Sequence, residues 1–368
     1  MKILHISGAK GWGGNEQQII SLLPKLKNYE IDNLVFGFSN SVLEKECNLY
    51  NIDFSALDSK KLNSFKSYKK LNEVIKSFKP NIVQLHTSDS LMFYLFANFI
   101  YKFNVKLIFS KKGIGGSSSQ LSKLKYNSNS LSAIFCVSKS VESSFAKILN
   151  KKTKAKTIVI NDCVPQSILK SQSALNLRSH FAISEGIKLV GNIANHTSAK
   201  DLFTLVDVLH YIVHVQKRDD IYFIQIGEFS KRTDAIKAYA TKRGVLKQLV
   251  FLDKYPNAAL LNPQFDCFLL TSEREGGPTS VLEAMLFNTA VVSTKVGLIE
   301  DVIIDAENGF TANVKDAENL AKGVIKLVDN KELQAKFTSI NKEIISEKFT
   351  AEKIALKTKE AYQKVYNS

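Results

Sequence analysis

Short apolar runs alternate with longer stretches of helical spacing along most of this chain, and no other feature of the sequence limits the fold as strongly. The apolar runs are rich in Val, Ile and Leu, as parallel strands covered on both faces should be. The stretches between them have the apolar spacing of helices that pack on a sheet. This alternation predicts an α/β fold built from doubly wound parallel sheets.

The alternation runs twice, with a polar segment between the two halves. In the first half we predict strands at 2–7, 33–38, 81–85, 106–110, 132–137 and 157–161, and helices at 16–26, 64–77 and 139–149. The weakly patterned segment 165–184 is interpreted as a hinge. In the second half we predict strands at 188–193, 222–226, 249–252, 267–270 and 290–293, helices at 200–215, 231–243 and 280–287, and a tail that is helical throughout over 316–328 and 331–368. The pattern therefore predicts two Rossmann-like domains that leave a cleft at the carboxyl ends of their strands, where ligands of such sheets bind.

Composition favours a cytoplasmic protein. No run of about 18 apolar residues is present, so we expect no transmembrane helix. The N-terminal residues turn polar too soon for a signal peptide and are interpreted as a buried strand. The four cysteines, at positions 47, 136, 163 and 267, show no paired spacing and are expected to be reduced.

Basic charge is concentrated in the first half of the chain. Residues 1–165 hold 24 lysines against 11 acidic residues, whereas all five arginines lie in residues 166–368. Lysine is a diffuse point charge, and arginine is the better reader of phosphates and bases. The composition therefore favours an anionic surface, such as the inner face of the cytoplasmic membrane, over a nucleic acid partner. A lysine-rich solvated surface without a partner is the alternative interpretation.

One motif in the second half has the layout of a phosphate-binding loop. The sequence E-G-G-P-T-S-V-L-E-A, residues 275–284, follows a predicted strand and leads into a predicted helix. Its glycines allow close approach of the backbone, and its P-T-S segment is typical of a helix start, whose free N–H groups attract phosphate. Glu275 and Glu283 add two carboxylates that can each accept hydroxyl hydrogen bonds. A nucleotide sugar, with hydroxyls at both ends and a diphosphate between them, fits this layout; an ordinary helix start is the alternative.

The motif resembles the E-G-x-P-x-x-x-x-E-A signature of retaining GT-B glycosyltransferases of family 4. The resemblance implies that Glu275 contacts the transferred sugar and that Glu283 contacts the ribose. It implies that the backbone at Gly276 and Gly277 meets the sugar and phosphates. It also implies two facing domains, 1–165 on the acceptor side and 166–345 on the donor side, with a closing helix, 346–368, that crosses back to the first domain.

Two motifs of the first half extend the resemblance. Gly13 and Gly14 lie in a G-G-x-E loop after the first predicted strand, where the backbone would approach the donor phosphate or the acceptor. His86 ends the run P-N-I-V-Q-L-H, which resembles P-D-V-V-H-x-H with Gln84 in place of the first histidine. The resemblance gives His86 a role in positioning the sugar or acceptor. A plain strand-to-helix turn and a structural histidine are the alternatives.

The cationic part of the predicted donor site departs from the family pattern. Lys200 occupies the lysine position, but Asn192 stands where an arginine is usual, so one charge is missing unless Arg274 or His196 supplies it. The predicted catalytic residues are Glu275, Lys200 and His86, and the predicted donor-binding residues are Gly13, Gly14, Asn192, Lys200, Arg274, Glu275, Gly276, Gly277, Pro278 and Glu283. No D-x-D motif occurs, so we expect no required metal and no cofactor beyond a UDP- or GDP-sugar co-substrate.

The resemblance predicts retaining transfer of a hexose-type sugar to a saccharide or lipid-linked saccharide, in the biosynthesis of lipopolysaccharide, capsule or exopolysaccharide. A GT-B-fold nucleotide-sugar epimerase is the nearest alternative, because it would use the same donor without an acceptor. A basic nucleic-acid-binding protein should interleave arginine with aromatic residues in its basic region, and arginine is absent there. A nicotinamide-dependent dehydrogenase is disfavoured because the glycines at 8–13 and 113–116 are weak matches to the G-x-G-x-x-G fingerprint.

Overall fold

The computed structural model describes residues 1–114 and 119–368 and divides the chain into two units. The first unit comprises Met1–Cys163 and Thr350–Ser368, and the second comprises Val164–Phe349. The chain leaves the first unit two residues before the predicted boundary and returns four residues after the predicted start of the closing helix. Gly115 and Gly116, part of the weak dinucleotide-binding match, lie outside the described residues.

A parallel sheet forms the centre of the first unit. Its strands are β1 (Lys2–Ile6), β2 (Asp32–Phe38), β3 (Asp53–Leu57), β4 (Ile82–Leu85), β5 (Lys106–Lys111), β6 (Leu131–Cys136) and β7 (Thr157–Val159). The strand order is β3-β2-β1-β4-β5-β6-β7, and every neighbouring pair is parallel. The inner strands are buried because most of their residues are apolar, as a sheet covered on both faces requires.

Helices cover both faces of this sheet and pack into two apolar cores. They are α1 (Gly14–Leu26), α2 (Val42–Leu49), α3 (Phe65–Phe78), α4 (Ser88–Tyr101), α5 (Gln120–Tyr126), α6 (Lys139–Ala146) and α7 (Lys151–Lys154). Most of these helices begin at a side-chain cap. Ser64, Thr87 and Ser138, for example, each accept a hydrogen bond from the amide three residues ahead, which satisfies one of the unpaired N–H groups of the first turn.

The second unit repeats the architecture with a six-stranded parallel sheet. Its strands are β8 (Lys188–Ile193), β9 (Ile221–Ile226), β10 (Leu249–Leu252), β11 (Cys267–Leu270), β12 (Val291–Thr294) and β13 (Phe310–Ala312), in the order β10-β9-β8-β11-β12-β13. Its helices are α8 (Leu177–His180), α9 (Leu202–His210), α10 (Thr233–Lys242), α11 (Thr279–Leu286), α12 (Ile299–Val302), α13 (Ala317–Val328) and α14 (Lys331–Ile344). The predicted α/β class with two Rossmann-like domains is confirmed.

Three local features differ from the sequence predictions. The edge strands β3 and β13 were not predicted, because each is short and half-exposed and has too few consecutive apolar residues to be distinguished from a loop. The segment 165–184, predicted as a hinge, packs on the second unit, where Leu177 is fully buried and its amide donates to Gln264 Oε1 at 2.8 Å. The tail is not one helix, because Thr350 accepts a hydrogen bond from Lys353 N at 3.2 Å and caps a new helix, α15 (Ala351–Asn367).

Helix α15 belongs to the first unit although it ends the chain. Tyr362 is fully buried there, stacks on Phe135 with ring centroids 5.9 Å apart, and donates a hydrogen bond from its hydroxyl to Gln84. Lys25 of α1 forms an ion pair with Glu352 at 2.7 Å. The closing helix is therefore held to the first unit by both apolar and polar contacts.

Candidate active site

A buried carboxylate lies in the loop that follows β11. Glu275 is 9% exposed, and its Oε1 accepts hydrogen bonds from Lys200 Nζ and from Ser272 Oγ, both at 2.6 Å. Burial of a carboxylate is costly unless a cation and hydrogen-bond donors compensate it, and here both are present. The structure thus brings together two of the predicted catalytic residues that are 75 residues apart in the sequence.

Contacts between two loops hold this pair in place. Lys200 ends a short 3-10 turn, Ser198–Lys200, that follows β8. The amide of Glu273 donates to the carbonyl of Ala199 at 2.9 Å, and Thr271 Oγ1 donates to the carbonyl of Lys200 at 3.3 Å. Because β8 and β11 are parallel neighbours, their carboxyl ends meet at one edge of the sheet, and the Lys200–Glu275 pair follows from that topology.

Gly297 supports the same loop and was missed in the sequence analysis. Its φ is +57°, and a Cβ atom on it would lie 2.4 Å from Glu275 O and 2.7 Å from Gly276 O. The next amide, of Leu298, donates to Gly276 O at 3.0 Å. Only glycine tolerates both this backbone conformation and this close approach. The available signal was a lone glycine shortly after a predicted strand.

Helix α11 begins without a side-chain cap. Its N-cap is Pro278, and no side chain accepts a hydrogen bond from the first turn; Thr279 and Ser280 are its first two helical residues. The first N–H groups of a helix have no intrahelical acceptor, and the positive end of the helix dipole lies there. The backbone from Gly276 to Pro278 therefore leads into a helix end that attracts an anion.

Glu283 lies further along α11 and differs from Glu275 in its surroundings. In the described part of the chain, no side chain forms a hydrogen bond or ion pair with its carboxylate. Desolvation raises the pKa of Glu283 to about 7. Its side chain is still partly open to solvent, so the carboxylate can accept a hydrogen bond from any hydroxyl donor that reaches it.

Asn192, which stands where an arginine is usual, is held within the sheet of the second unit. Asn192 is buried, and its side chain spans from β8 to β11 by donating to the carbonyl of Leu269 at 2.8 Å. The prediction that Asn192 binds the donor receives no support from this placement, because its amide nitrogen is already engaged within the sheet. Its Oδ1 has no hydrogen-bond partner in the described structure.

His196 does not supply the charge. Its ring nitrogens lie 2.7 Å from Gln225 Oε1 and 2.9 Å from Thr233 Oγ1, and burial lowers its pKa. An imidazole held between two neutral groups with a lowered pKa is neutral at physiological pH. Arg274, by contrast, is exposed and directly precedes Glu275, so it is the cation that the loop can offer to an anion.

In the first unit, His86 belongs to a chain of buried hydrogen bonds. His86 Nε2 lies 3.1 Å from His5 Nδ1, and His5 Nε2 lies 3.0 Å from Asn33 Oδ1, while Asn33 Nδ2 donates to the carbonyl of Ile31 at 3.0 Å. Since Asn33 Oδ1 can only accept, His5 must donate from Nε2 and accept at Nδ1. His86 must therefore donate from Nε2, which leaves its Nδ1 unprotonated.

Both histidines of this chain are held neutral. Burial lowers the pKa of His5 to about 4, and burial together with the nearby His5 and Lys112 lowers the pKa of His86 well below its usual value. The two rings also border a cavity of about 30 Å³, which is large enough for a water molecule. Lys112, another residue of this cavity, forms an ion pair with the buried Asp162. His86 thus offers a fixed hydrogen-bond acceptor, not a proton donor.

Gly13 and Gly14 lie at the start of α1. Gly13 is the N-cap, with an extended φ of −158°, and no side chain caps the helix. A Cβ atom on Gly13 would meet only Glu16 Oε2, at 3.5 Å, and one on Gly14 would meet nothing within 4 Å. Neither the backbone conformation nor packing in the described structure requires glycine here, so the open space above this helix end is the feature that the two glycines preserve.

The described residues contain neither a candidate metal site nor a helix that could span a membrane. Within residues 1–114 and 119–368, no group of three or more His, Cys, Asp or Glu side chains has the arrangement of a metal site. Over the same residues, no helix is both long and apolar enough to cross a membrane.

Comparisons with known proteins connect this geometry to a family. Residues 175–344, which lie within the second unit, match the model for glycosyl transferases group 1. Over 205 residues the chain is 27% identical to N-acetyl-alpha-D-glucosaminyl L-malate synthase of Bacillus anthracis, covering 55% of this chain and 52% of that protein. Over 183 residues it is 30% identical to poly(ribitol-phosphate) alpha-N-acetylglucosaminyltransferase of Staphylococcus aureus, covering 49% of this chain and 35% of that protein. The chain thus spans about half the length of these relatives, or less.

The fold of the whole chain also has solved counterparts. The crystal structure of HepE from Anabaena in complex with UDP and glucose superposes with a TM-score of 0.83 at 18% identity, over 99% of this chain and 100% of that one. At this identity the likeness concerns the fold alone. Residues 175–344 therefore resemble the glycosyl transferases group 1 family, and the whole chain has the GT-B fold of two Rossmann-like domains.

Proposed function

We propose that the second unit binds a nucleotide sugar and that the protein transfers the hexosyl group, with retention of anomeric configuration, to a saccharide or lipid-linked saccharide. The observation that carries this proposal is the joining of three features in one loop and helix. They are the Glu275–Lys200 pair, the uncapped start of α11 and the unpartnered carboxylate of Glu283.

Each part of such a donor has a complementary group in this loop and helix. The ribose hydroxyls would donate to Glu283, whose carboxylate has no side-chain partner in the described structure. The diphosphate would lie at the start of α11, where free N–H groups and the helix dipole favour negative charge, with Arg274 nearby. The sugar hydroxyls would donate to Glu275 through the oxygen that Lys200 leaves open.

Transfer breaks the bond between the anomeric carbon and the leaving diphosphate and forms a bond from that carbon to the acceptor oxygen, and the proton of the acceptor hydroxyl passes to the leaving diphosphate. Negative charge grows on the leaving phosphate, and positive charge grows on the sugar ring. The helix end, Arg274 and Lys200 would stabilise the first charge, and the Glu275 carboxylate would stabilise the second. Because Lys200 donates to Glu275 Oε1 and fixes the orientation of this carboxylate, we assign it a positioning role in addition to its charge.

The relatives support a choice of donor. HepE of Anabaena was solved with UDP and glucose, and the two curated relatives are named for N-acetylglucosaminyl transfer in the alpha configuration. We therefore propose a UDP-linked glucose or N-acetylglucosamine as the donor, before a GDP-sugar. A role in building a cell-surface polysaccharide fits the poly(ribitol-phosphate) acceptor in the name of the second relative. We expect transfer without a divalent metal, because the sequence has no D-x-D motif.

Thermal-shift screening against UDP-, GDP- and ADP-sugars tests the donor, because a ligand that binds the native state raises its melting temperature. We expect UDP-glucose or UDP-N-acetylglucosamine to give the largest shift, and the shift to persist in EDTA. The Glu283→Ala variant should lose it. Equal shifts with all three nucleotides, or none with any, would contradict the proposed donor.

Product analysis separates transfer from the epimerase alternative. A transferase consumes the donor appreciably only when an acceptor is present, and proton NMR of the new linkage reports whether the donor's configuration is kept. An epimerase would convert UDP-N-acetylglucosamine to a second UDP-sugar without any acceptor. Appearance of that product would overturn the assignment of a transferase.

A further inference from the structure

Helix α4 is apolar on the side that faces solvent as well as on the side that faces the core. Its inner side is buried at Leu91, Phe93, Tyr94 and Ala97. On its outer side, Phe96, Phe99 and Ile100 are 50%, 83% and 45% exposed. A helix that is apolar all round is normally enclosed by protein or by lipid. We call these three exposed residues the α4 patch; nothing in the described structure covers it.

Lysines border the α4 patch. Helix α3 lies beside α4, since the rings of Tyr68 and Phe93 stack at 5.6 Å. Helix α3 leads into β4, and helix α4 leads into β5. Because β4 and β5 are parallel neighbours, the carboxyl ends of the two helices lie side by side. Each helix ends at an exposed lysine in the left-handed conformation, Lys79 (φ 54°) and Lys102 (φ 52°). The apolar surface is thus next to positive charge at the same end of both helices.

Helices α3 and α5, which flank α4, add exposed lysines and exposed apolar side chains to this surface. On the outer side of α3, the exposed lysines Lys69 and Lys76 outnumber the exposed Glu73. On α5, Leu121 and Leu124 are 75% and 71% exposed, with Lys123 between them. Helix α5 touches the start of α4, where the hydroxyls of Ser88 and Tyr126 lie 2.9 Å apart. Helices α3, α4 and α5 therefore share one outer surface of the first unit.

We propose that this surface, centred on the α4 patch, docks on an anionic lipid bilayer. Aromatic and branched apolar side chains with a border of lysine are the combination that holds a helix in the membrane interface. A border in which exposed lysines outnumber exposed carboxylates matches anionic headgroups. The docking is independent of the proposed catalysis, so it can be tested without an acceptor or a donor.

Co-sedimentation of the full chain with vesicles is the first test. We expect binding to vesicles that contain phosphatidylglycerol, little binding to pure phosphatidylcholine, and weaker binding as salt rises. The Phe96→Ser/Phe99→Ser variant should bind at least tenfold more weakly, because the favourable free energy of transferring each phenyl ring from water into lipid is lost. The matched control is Leu246→Ser/Ile304→Ser, which removes two side chains of the second unit that are 43% and 59% exposed.

A fluorescent label gives a second, local readout. The four native cysteines are buried, so an Ile100→Cys variant can be labelled selectively with an environment-sensitive fluorophore. We expect its emission to shift to the blue with anionic vesicles, and the label at Leu246→Cys to stay unchanged. Unaltered melting temperatures and thermal shifts with UDP-sugars would show that the variants are folded.

Three results would overturn the proposal. They are the absence of binding to anionic vesicles, binding that the Phe96→Ser/Phe99→Ser variant keeps in full, and a dimer in analytical ultracentrifugation that this variant abolishes. The last result would assign the α4 patch to a second copy of the chain.

Discussion

The two units treat the polar groups of their predicted site residues in opposite ways. In the first unit, His86 is fixed by His5 and Asn33, and each group in the chain satisfies the next. In the second unit, Glu283 has no partner and the start of α11 has no cap in the described structure. A satisfied network fixes geometry, whereas groups without a protein partner are open to a ligand. We infer that the second unit is built to bind and the first to orient.

The largest expected effect comes from the Glu275–Lys200 pair. Replacing either Glu275→Ala or Lys200→Ala should lower kcat by about 10²–10³, because a preorganised charge at the reacting centre is removed. Both variants should remain folded, with Lys200→Ala the less stable since it leaves a buried carboxylate without its cation. Initial rates with a UDP-sugar and circular dichroism melting curves measure the two effects.

The neighbouring pair of Glu273 and Lys315 provides the control. These side chains form an ion pair at 2.8 Å in the same region, but the pair is exposed to solvent. Exposed pairs contribute little, so Glu273→Ala should change kcat less than about threefold. Equal losses in Glu273→Ala and Glu275→Ala would mean that the buried pair has no special role.

The next effect tests whether the second unit needs its loop geometry as well as its charges. In Gly297→Ala, the new Cβ would clash with the carbonyls of Glu275 and Gly276 and displace them. A displacement of about 1 Å at a reacting group can cost about 10² in rate. Gly323→Ala, where a Cβ would meet side chains and not loop carbonyls, is the control that should affect stability more than rate. A Gly297→Ala variant with full activity would show that the loop accommodates the added methyl group without losing its catalytic geometry.

Much of the fold was predictable because its signals are local. The inner strands β1, β4 and β8 are mostly apolar, each with a polar residue within it (His5, Gln84 and Asn192), and their burial follows from that composition. The edge strands β3 and β13 were not predictable in this way, since their pairing depends on neighbours far away in the sequence. The break at Thr350 could have been predicted, because threonine followed by a helix-forming run is a capping signal.

The candidate site was predictable only where a motif records it. Glu275 and Glu283 belong to one motif, but their different surroundings depend on which residues other loops bring near them. Lys200 pairs with Glu275 through the order of β8 and β11, and Gly297 contacts the loop from β12. The chain from His86 to Asn33 joins three strands. No spacing rule within one sequence predicts such contacts.

A smaller effect concerns the pH dependence of donor binding. The pKa of Glu283 is about 7 in the free protein, so the carboxyl is mostly protonated at pH 6 and mostly ionised at pH 8. Hydroxyl donors favour the ionised form and lower this pKa on binding. Donor affinity should therefore rise about tenfold from pH 6 to pH 8 and then level off. Isothermal titration calorimetry with UDP at each pH measures this affinity.

The Glu283→Gln variant sharpens this prediction. It should bind more weakly at pH 8 and show a flat pH profile. Because the pKa is raised from 4.5 to about 7 in the folded protein, stability falls as pH rises between these two values and stays lower above pH 7. Glu283→Gln should therefore raise the melting temperature at pH 8 but not at pH 5. A variant that kept the wild-type pH profile would show that another group controls binding.

The smallest expected effect tests the orienting role of the first unit. In Asn33→Asp, a carboxylate would face His5 Nε2 and raise the pKa of His5, which favours the doubly protonated ring. His5 would then donate from Nδ1, and His86 could no longer donate from Nε2, so its proton would move to Nδ1. Nitrogen-15 chemical shifts of the His86 ring distinguish the two tautomers, and kcat should fall several-fold as His86 loses its free acceptor.

Asn33→Ala, which adds no charge, should leave the tautomer of His86 less changed. If Asn33→Asp switched the tautomer without altering kcat, His86 would be a structural histidine, and the contrast between an orienting first unit and a binding second unit would rest on the second unit alone.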